Sequence, residues 1–277
     1  MSRFTQALRP SLRAAAQGAA LAAAGLLLAA CAGGPASLPA DATDLRTASD
    51  LTNADRRASA RLELASAYFA RGQLATALDE VKLALSAMPD MPQGLNLRGL
   101  IYAAMGESKL AEESFRRARA VAPQDADTMH NFGWFLCQQG QYVEADAEFG
   151  RALGAAQYRA AGRTLLARGV CHARAGKWDE AEAALSKSYE IDPTSPATAY
   201  NLADVLYRRG EYQRARFYMR RVNGQAEQSN AQSLWLAARI EKRLGNLSGA
   251  RDFGNQLRDR FPRSPEALQY ERGRYDD

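Results

Sequence analysis

Gly72-Gln73-Leu74-Ala75-Thr76-Ala77 is the stretch on which the fold turns, because the chain repeats its outline at regular intervals. A glycine stands at Gly72, Gly106, Gly140, Gly176, Gly210 and Gly245, and an alanine follows each by five residues, at Ala77, Ala111, Ala145, Ala181, Ala215 and Ala250. Successive members of both series are 34, 34, 36, 34 and 35 residues apart. Around the first pair, Leu64, Ala65 and Tyr68 share a helical face before Gly72, and Ala77, Val81 and Ala84 share another after it. Glycine enters the left-handed conformation past a helix end at no steric cost, so Gly72 ends one helix and frees the chain to begin the next. Pro89 closes the second helix. Ala77 is small because the two helices cross closely there, and a larger side chain would overpack the crossing.

The other units keep the same offsets: Gly99, Tyr102, Phe115, Ala118 and Pro123 in the second, Gly133, Leu136, Phe149 and Ala152 in the third, and Gly169, Leu185 and Pro193 in the fourth. Leu202, Ala203 and Met219 continue the pattern in the fifth, and Ala237, Ala238, Leu257 and Pro262 in the sixth. A helix-turn-helix period of 34 is that of tetratricopeptide repeats, whose units stack because none can bury its apolar face alone. The expected fold is therefore all-α, a right-handed α-solenoid of six repeats and twelve helices over residues 56–264. Residues 265–277 form a short C-terminal cap or tail.

The net charge of +5 invites a nucleic-acid reading, but Arg3, Arg9 and Arg13 lie in an acid-free first thirty residues. Without them 33 basic residues face 31 acidic ones, and no later stretch gathers five like charges. Nucleic acid is not an expected partner. Catalytic patterns fail as well. Gly176-Lys177 lacks the glycine of a phosphate loop at Cys171 and its Ser or Thr at Trp178. There is no Gly-x-Ser-x-Gly elbow and no Cys-x-x-Cys or His-Glu-x-x-His spacing. His172 takes the repeat position of Tyr68 and Tyr102 and reads as a packed residue. No enzyme activity, cofactor, metal or small-molecule substrate is expected.

The three arginines precede an uncharged run rich in alanine and leucine from Ala14 to Ala30, the layout of a secretory signal over residues 1–30. Leu28-Ala29-Ala30-Cys31 resembles the bacterial lipobox. That likeness implies cleavage before Cys31, diacylation of its thiol and acylation of its new amino group, with palmitate as the usual chain. Two or three chains give stable attachment where one does not. Ala32 stands where many lipoproteins kept at the inner membrane have aspartate, so outer-membrane retention on the periplasmic side is expected. Residues 31–55, with Gly33, Gly34, Pro35 and Pro39, read as an acylated N-terminus and flexible tether with a reach of roughly 25 Å.

Cys137 and Cys171 fall at different offsets in their repeats, so their side chains are expected to point apart and to remain free thiols. The first helix of every repeat is expected to line an inner groove. Its candidate partner-binding residues are Leu62, Phe69, Asn96, Leu100, Asn131, Trp134, Tyr200, Tyr207 and Trp235. His130, Cys137 and Asp204 fall among them, and Arg239 and Lys242 make the far end basic. A contiguous apolar concave strip marks a site for a partner protein. The Lys-Asn arrangement that clamps a terminal carboxylate is missing, so the groove is not expected to read a free C-terminus.

His130-Asn131-Phe132-Gly133-Trp134-Phe135-Leu136, the irregular third repeat with Tyr158, Asn230-Ala231-Gln232-Ser233-Leu234-Trp235-Leu236 and Leu257-Arg258-Asp259-Arg260-Phe261-Pro262 carry a closer likeness. Together with the lipobox they resemble the outer-membrane lipoproteins of type IV pilus biogenesis and stability, the secretin pilotins. Cys137 departs from the family's frequent aromatic residue, and the tail after Gln269 is unusually charged. The resemblance implies binding to the secretin of the type IV pilus machinery and promotion of its outer-membrane targeting or oligomerisation. The alternative is a general envelope scaffold serving outer-membrane protein assembly or peptidoglycan synthesis.

Overall fold

The computed structural model describes residues 52–275. The expected signal, Cys31, most of the tether and residues 276–277 lie outside the described residues. The first helix starts at Asn53, so residues 53–55, expected as tether, are helical. The cause is local: Thr52 accepts from the Asp55 backbone N–H, and the Asp55 side chain accepts from the Thr52 backbone, closing a capping box.

Thirteen helices follow among the described residues. They pair as α1 (Asn53–Ala70) with α2 (Leu74–Ala87), α3 (Pro92–Ala104) with α4 (Ser108–Val121), and α5 (Ala126–Gln138) with α6 (Tyr142–Gly154). Then come α7 (Ala161–Arg174) with α8 (Trp178–Ile191), α9 (Pro196–Arg208) with α10 (Tyr212–Asn223), and α11 (Ala231–Arg243) with α12 (Leu247–Arg260). A short α13 (Pro265–Glu271) lies against α11 and α12. Among the described residues the fold is thus an all-α solenoid of six tetratricopeptide repeats with a C-terminal cap.

Each repeat turns on its glycine. At Gly72, with φ of 72°, the backbone N–H of Gln73 reaches back to the Tyr68 carbonyl at 3.0 Å, satisfying a helix-end acceptor. The helices then cross where side chains vanish. Ala77, Ala111, Ala145, Ala181 and Ala215 are buried, and a Cβ added at Gly99 would stand 2.8 Å from the Phe115 ring. At Gly169 it would stand 2.5 Å from Leu185 Cγ. Close crossing thus depends on a small residue from each helix.

Odd-numbered helices touch one another along the stack, α1 to α3, α3 to α5 and onwards, whereas the even-numbered helices of the repeats touch only their neighbours in sequence. The odd row is therefore the tighter, inner side. The extra two residues of the third repeat are absorbed between α6 and α7, where Gln157 takes a φ of 60°. Tyr158 is held there by Thr164 at 2.7 Å.

Cys137 on α5 and Cys171 on α7 form a disulfide with Cα atoms 5.8 Å apart, which corrects the expectation of free thiols. The reason is geometric. In neighbouring helices that run the same way, equal offsets point in the same direction and cannot meet. Two residues of difference turn a side chain by about 200°, to the opposite flank, which is what a bridge between neighbours requires.

Candidate partner-binding groove

The amino-terminal half of the inner face is apolar and partly open. Leu62 and Phe69 of α1 are half-buried against a core that includes Ala65 and Leu95. Leu100 of α3 and Trp134 of α5 rest half-buried on the Phe115–Phe135 core. Asn131 donates from Nδ2 to Asn96 Oδ1 at 3.2 Å, so the two amides form one pair across α3 and α5. Each amide keeps further hydrogen-bonding capacity, since a carboxamide carries two donors and an acceptor with two lone pairs. Arg174 of α7 lies over the Trp134 ring, 5.0 Å from its centroid.

The far carboxy-terminal end is covered by the chain itself. Tyr207 and Trp235 are only 8% and 9% exposed. Tyr275, beyond α13, places its ring 5.1 Å from that of Trp235, and its carbonyl accepts from Arg239 Nε at 3.0 Å. Lys242 Nζ lies 3.8 Å above the same tyrosine ring, while Arg239 stacks on Tyr207 at 4.7 Å. Tyr200 is half-buried, and burial first and Asp204 second raise its pKa above the usual phenol value. Tyr207 and Trp235 therefore serve packing in this structure, and the basic end is filled by the tail.

Two further groove positions turn inward. His130 is buried with Nδ1 2.9 Å from Thr164 Oγ1, and Cys137 belongs to the disulfide. Burial, then the charge of Arg163, lower the pKa of His130 to about 4, so it is neutral near pH 7. His172 packs at the position of Tyr68 and Tyr102, and its Nε2 also meets Asp146 Oδ1 at 3.0 Å. Burial lowers the pKa of His172 despite that carboxylate. Burial tends to raise the pKa of Asp146, but Arg168, bonded through Nε at 2.6 Å, together with His172 and Lys177 leaves the value lowered.

Between α7 and α9 lies a recess of about 420 Å³ that contains Val170, Arg174, Trp178, Asn201, Asp204 and Arg208. Of these, Arg174, Trp178, Asn201 and Arg208 were not among the groove residues expected from sequence. A signal existed: Tyr142, Trp178 and Tyr212 place an aromatic residue two positions after the turn glycine in three consecutive repeats. Among the described residues, no group of three or more His, Cys, Asp or Glu could hold a metal ion. No helix there is long and apolar enough to cross a membrane.

Family models described as tetratricopeptide repeat match residues 92–125, 124–194 and 172–235. The type IV pilus assembly protein PilF of Pseudomonas aeruginosa is 29% identical over 220 residues, 78% of this chain and 86% of that protein. The crystal structure of PilW, described as a widely conserved type IV pilus biogenesis factor, aligns with a TM-score of 0.73 and 29% identity over 77% of this chain and 97% of PilW. The structure of Pseudomonas aeruginosa PilF aligns with a TM-score of 0.71 and 27% identity over 80% of this chain and all of that one. Repeats, cap and near full-length alignment agree: the chain is a tetratricopeptide-repeat protein homologous to the type IV pilus biogenesis factors PilF and PilW.

Proposed function

We propose that this protein is a non-enzymatic, periplasm-facing outer-membrane lipoprotein, anchored through Cys31, that binds secretin subunits and promotes their targeting or oligomerisation in type IV pilus biogenesis. The carrying observation is the open apolar strip of Leu62, Phe69, Leu100 and Trp134 beside the Asn96–Asn131 pair, in a chain homologous to pilus biogenesis factors. The strip would shield an apolar secretin segment before it enters the membrane. The asparagine amides would fix the backbone of that segment, and the tether would keep the groove beside the leaflet.

Aromatic anchors dominate such interfaces, so Trp134→Ala is expected to cost about 2 kcal/mol or more, roughly a thirtyfold loss of affinity. In cells it should leave secretin as monomers at the expense of oligomers, with the level of the repeat protein unchanged. Glu113→Ala, an exposed position on α4, is the control and should do little. Normal secretin assembly with a folded Trp134→Ala protein would place the partner site elsewhere.

A further inference from the structure

The recess between α7 and α9 differs from the apolar strip in its charge. Two guanidinium groups line it, and each lies on a tryptophan: Arg174 on Trp134 at 5.0 Å and Arg208 on Trp178 at 5.5 Å. Stacking occupies the face of a guanidinium and leaves its edge donors free, in the plane that suits a carboxylate. Arg208 gives Nε to Asp204 Oδ2 at 2.8 Å and keeps its terminal nitrogens. Arg174 has no carboxylate partner among the described residues.

Other guanidiniums of repeats four to six are neutralised where they stand. Arg168 is neutralised by Asp146, Arg214 by Glu182 and Glu211, and Arg216 by Glu241. Two tryptophan-backed guanidiniums against one aspartate leave the recess with a surplus positive charge above an apolar floor of Val170, Ala173 and Val205.

We propose that this recess takes a glutamate or aspartate side chain from an extended segment of the partner, held edge-on by Arg174 and Arg208. The identity of the partner rests on the function proposed above; the preference of the recess for a carboxylate does not. The segment would carry its apolar residues on the strip of repeats one to three and an acidic residue at the middle of the groove.

The chain has three tryptophans, Trp134, Trp178 and Trp235, so its indole N–H resonances report the recess twice and the covered end once. The test titrates the full chain in mild detergent with acetyl-Gly-Ala-Glu-Ala-Gly-amide, with the glutamine analogue and with inorganic phosphate. The glutamate peptide should shift the Trp134 and Trp178 signals saturably at millimolar concentration and leave Trp235 in place. Arg174→Gln and Arg208→Gln should each weaken that response about tenfold, the size of a lost charge-assisted hydrogen bond. A wild-type far-ultraviolet circular dichroism spectrum and melting midpoint certify that each variant is folded.

An equal response to the glutamine peptide, a stronger response to phosphate, or no saturable shift would each overturn the inference. The two readings fail separately. If the peptide response is absent while Trp134→Ala still blocks secretin assembly, only the recess reading falls. If the peptide binds as expected and Trp134→Ala assembles secretin normally, the proposed function falls and the carboxylate site stands.

Discussion

Repeats one to three and repeats four to six offer equivalent helix positions to the inner face, and they use their large side chains in opposite ways. Phe69, Leu100 and Trp134 stay half-open above their cores. Tyr207 and Trp235, at comparable positions, are covered by Arg239 and Tyr275, and Lys242 lies on the outer side of that tyrosine ring. Repeat periodicity sets the direction of a side chain, and only the rest of the chain sets whether that direction ends in solvent. An apolar strip counts as an available surface in the first half; around Tyr207 and Trp235 the protein already supplies the occupant.

The two halves meet at α5 and α7, where the Cys137–Cys171 disulfide joins them, and the largest expected effect lies there. Closing a loop of 34 residues corresponds to about 2–4 kcal/mol in the chain-entropy account. Stability of stacked repeats is a sum of local and nearest-neighbour contributions, so weakening one interface uncouples its flanks. The double variant Cys137→Ala/Cys171→Ala should therefore unfold in denaturant at a lower midpoint and in two separable steps. A single transition at the wild-type midpoint would mean that packing alone joins the halves.

A smaller effect at the same joint is set by pH. His130 has a folded pKa of about 4 against 6.5 when unperturbed, so between those values the unfolded chain binds a proton that the folded chain refuses. Stability is complete above about pH 6.5 and falls as the pH drops towards 4, by roughly 1–3 kcal/mol once solvent screening is allowed for. His130→Gln should flatten that slope in a series of melts, and an unchanged slope would assign it to other groups.

The smallest effect belongs to the tail. Removing residues 274–277 should uncover Trp235, move its fluorescence to longer wavelength and cost about 1 kcal/mol or less, since few apolar atoms are re-exposed. An unshifted spectrum would show that Tyr275 does not cover Trp235 in solution.

Most of the fold was legible in the sequence because it repeats. Gly72 and its five successors mark turns, Ala77 and its successors mark crossings, and Pro265 opens the capping helix. The open strip was legible for the same reason: Leu62, Phe69, Leu100 and Trp134 follow from position alone. What periodicity could not carry is contact between unlike positions. The disulfide pairs two offsets that look divergent in a single repeat and converge only between neighbours. Tyr275 lies outside the period and reaches Trp235 across 40 residues of chain. Trp178 follows its turn glycine at the spacing of Tyr142 and Tyr212, but its stacking with Arg208 needs two helices of different repeats in place.

The most direct test of the account is site-specific photocrosslinking in cells, with the reactive side chain placed at Leu100 in the open half, at Trp235 in the covered half, and at Glu113 on an outer helix. The account predicts a crosslink to secretin from position 100 and none from 235 or 113. Crosslinks to secretin from 235 or 113, with none from 100 in a protein that is folded and present at its normal level, would contradict it.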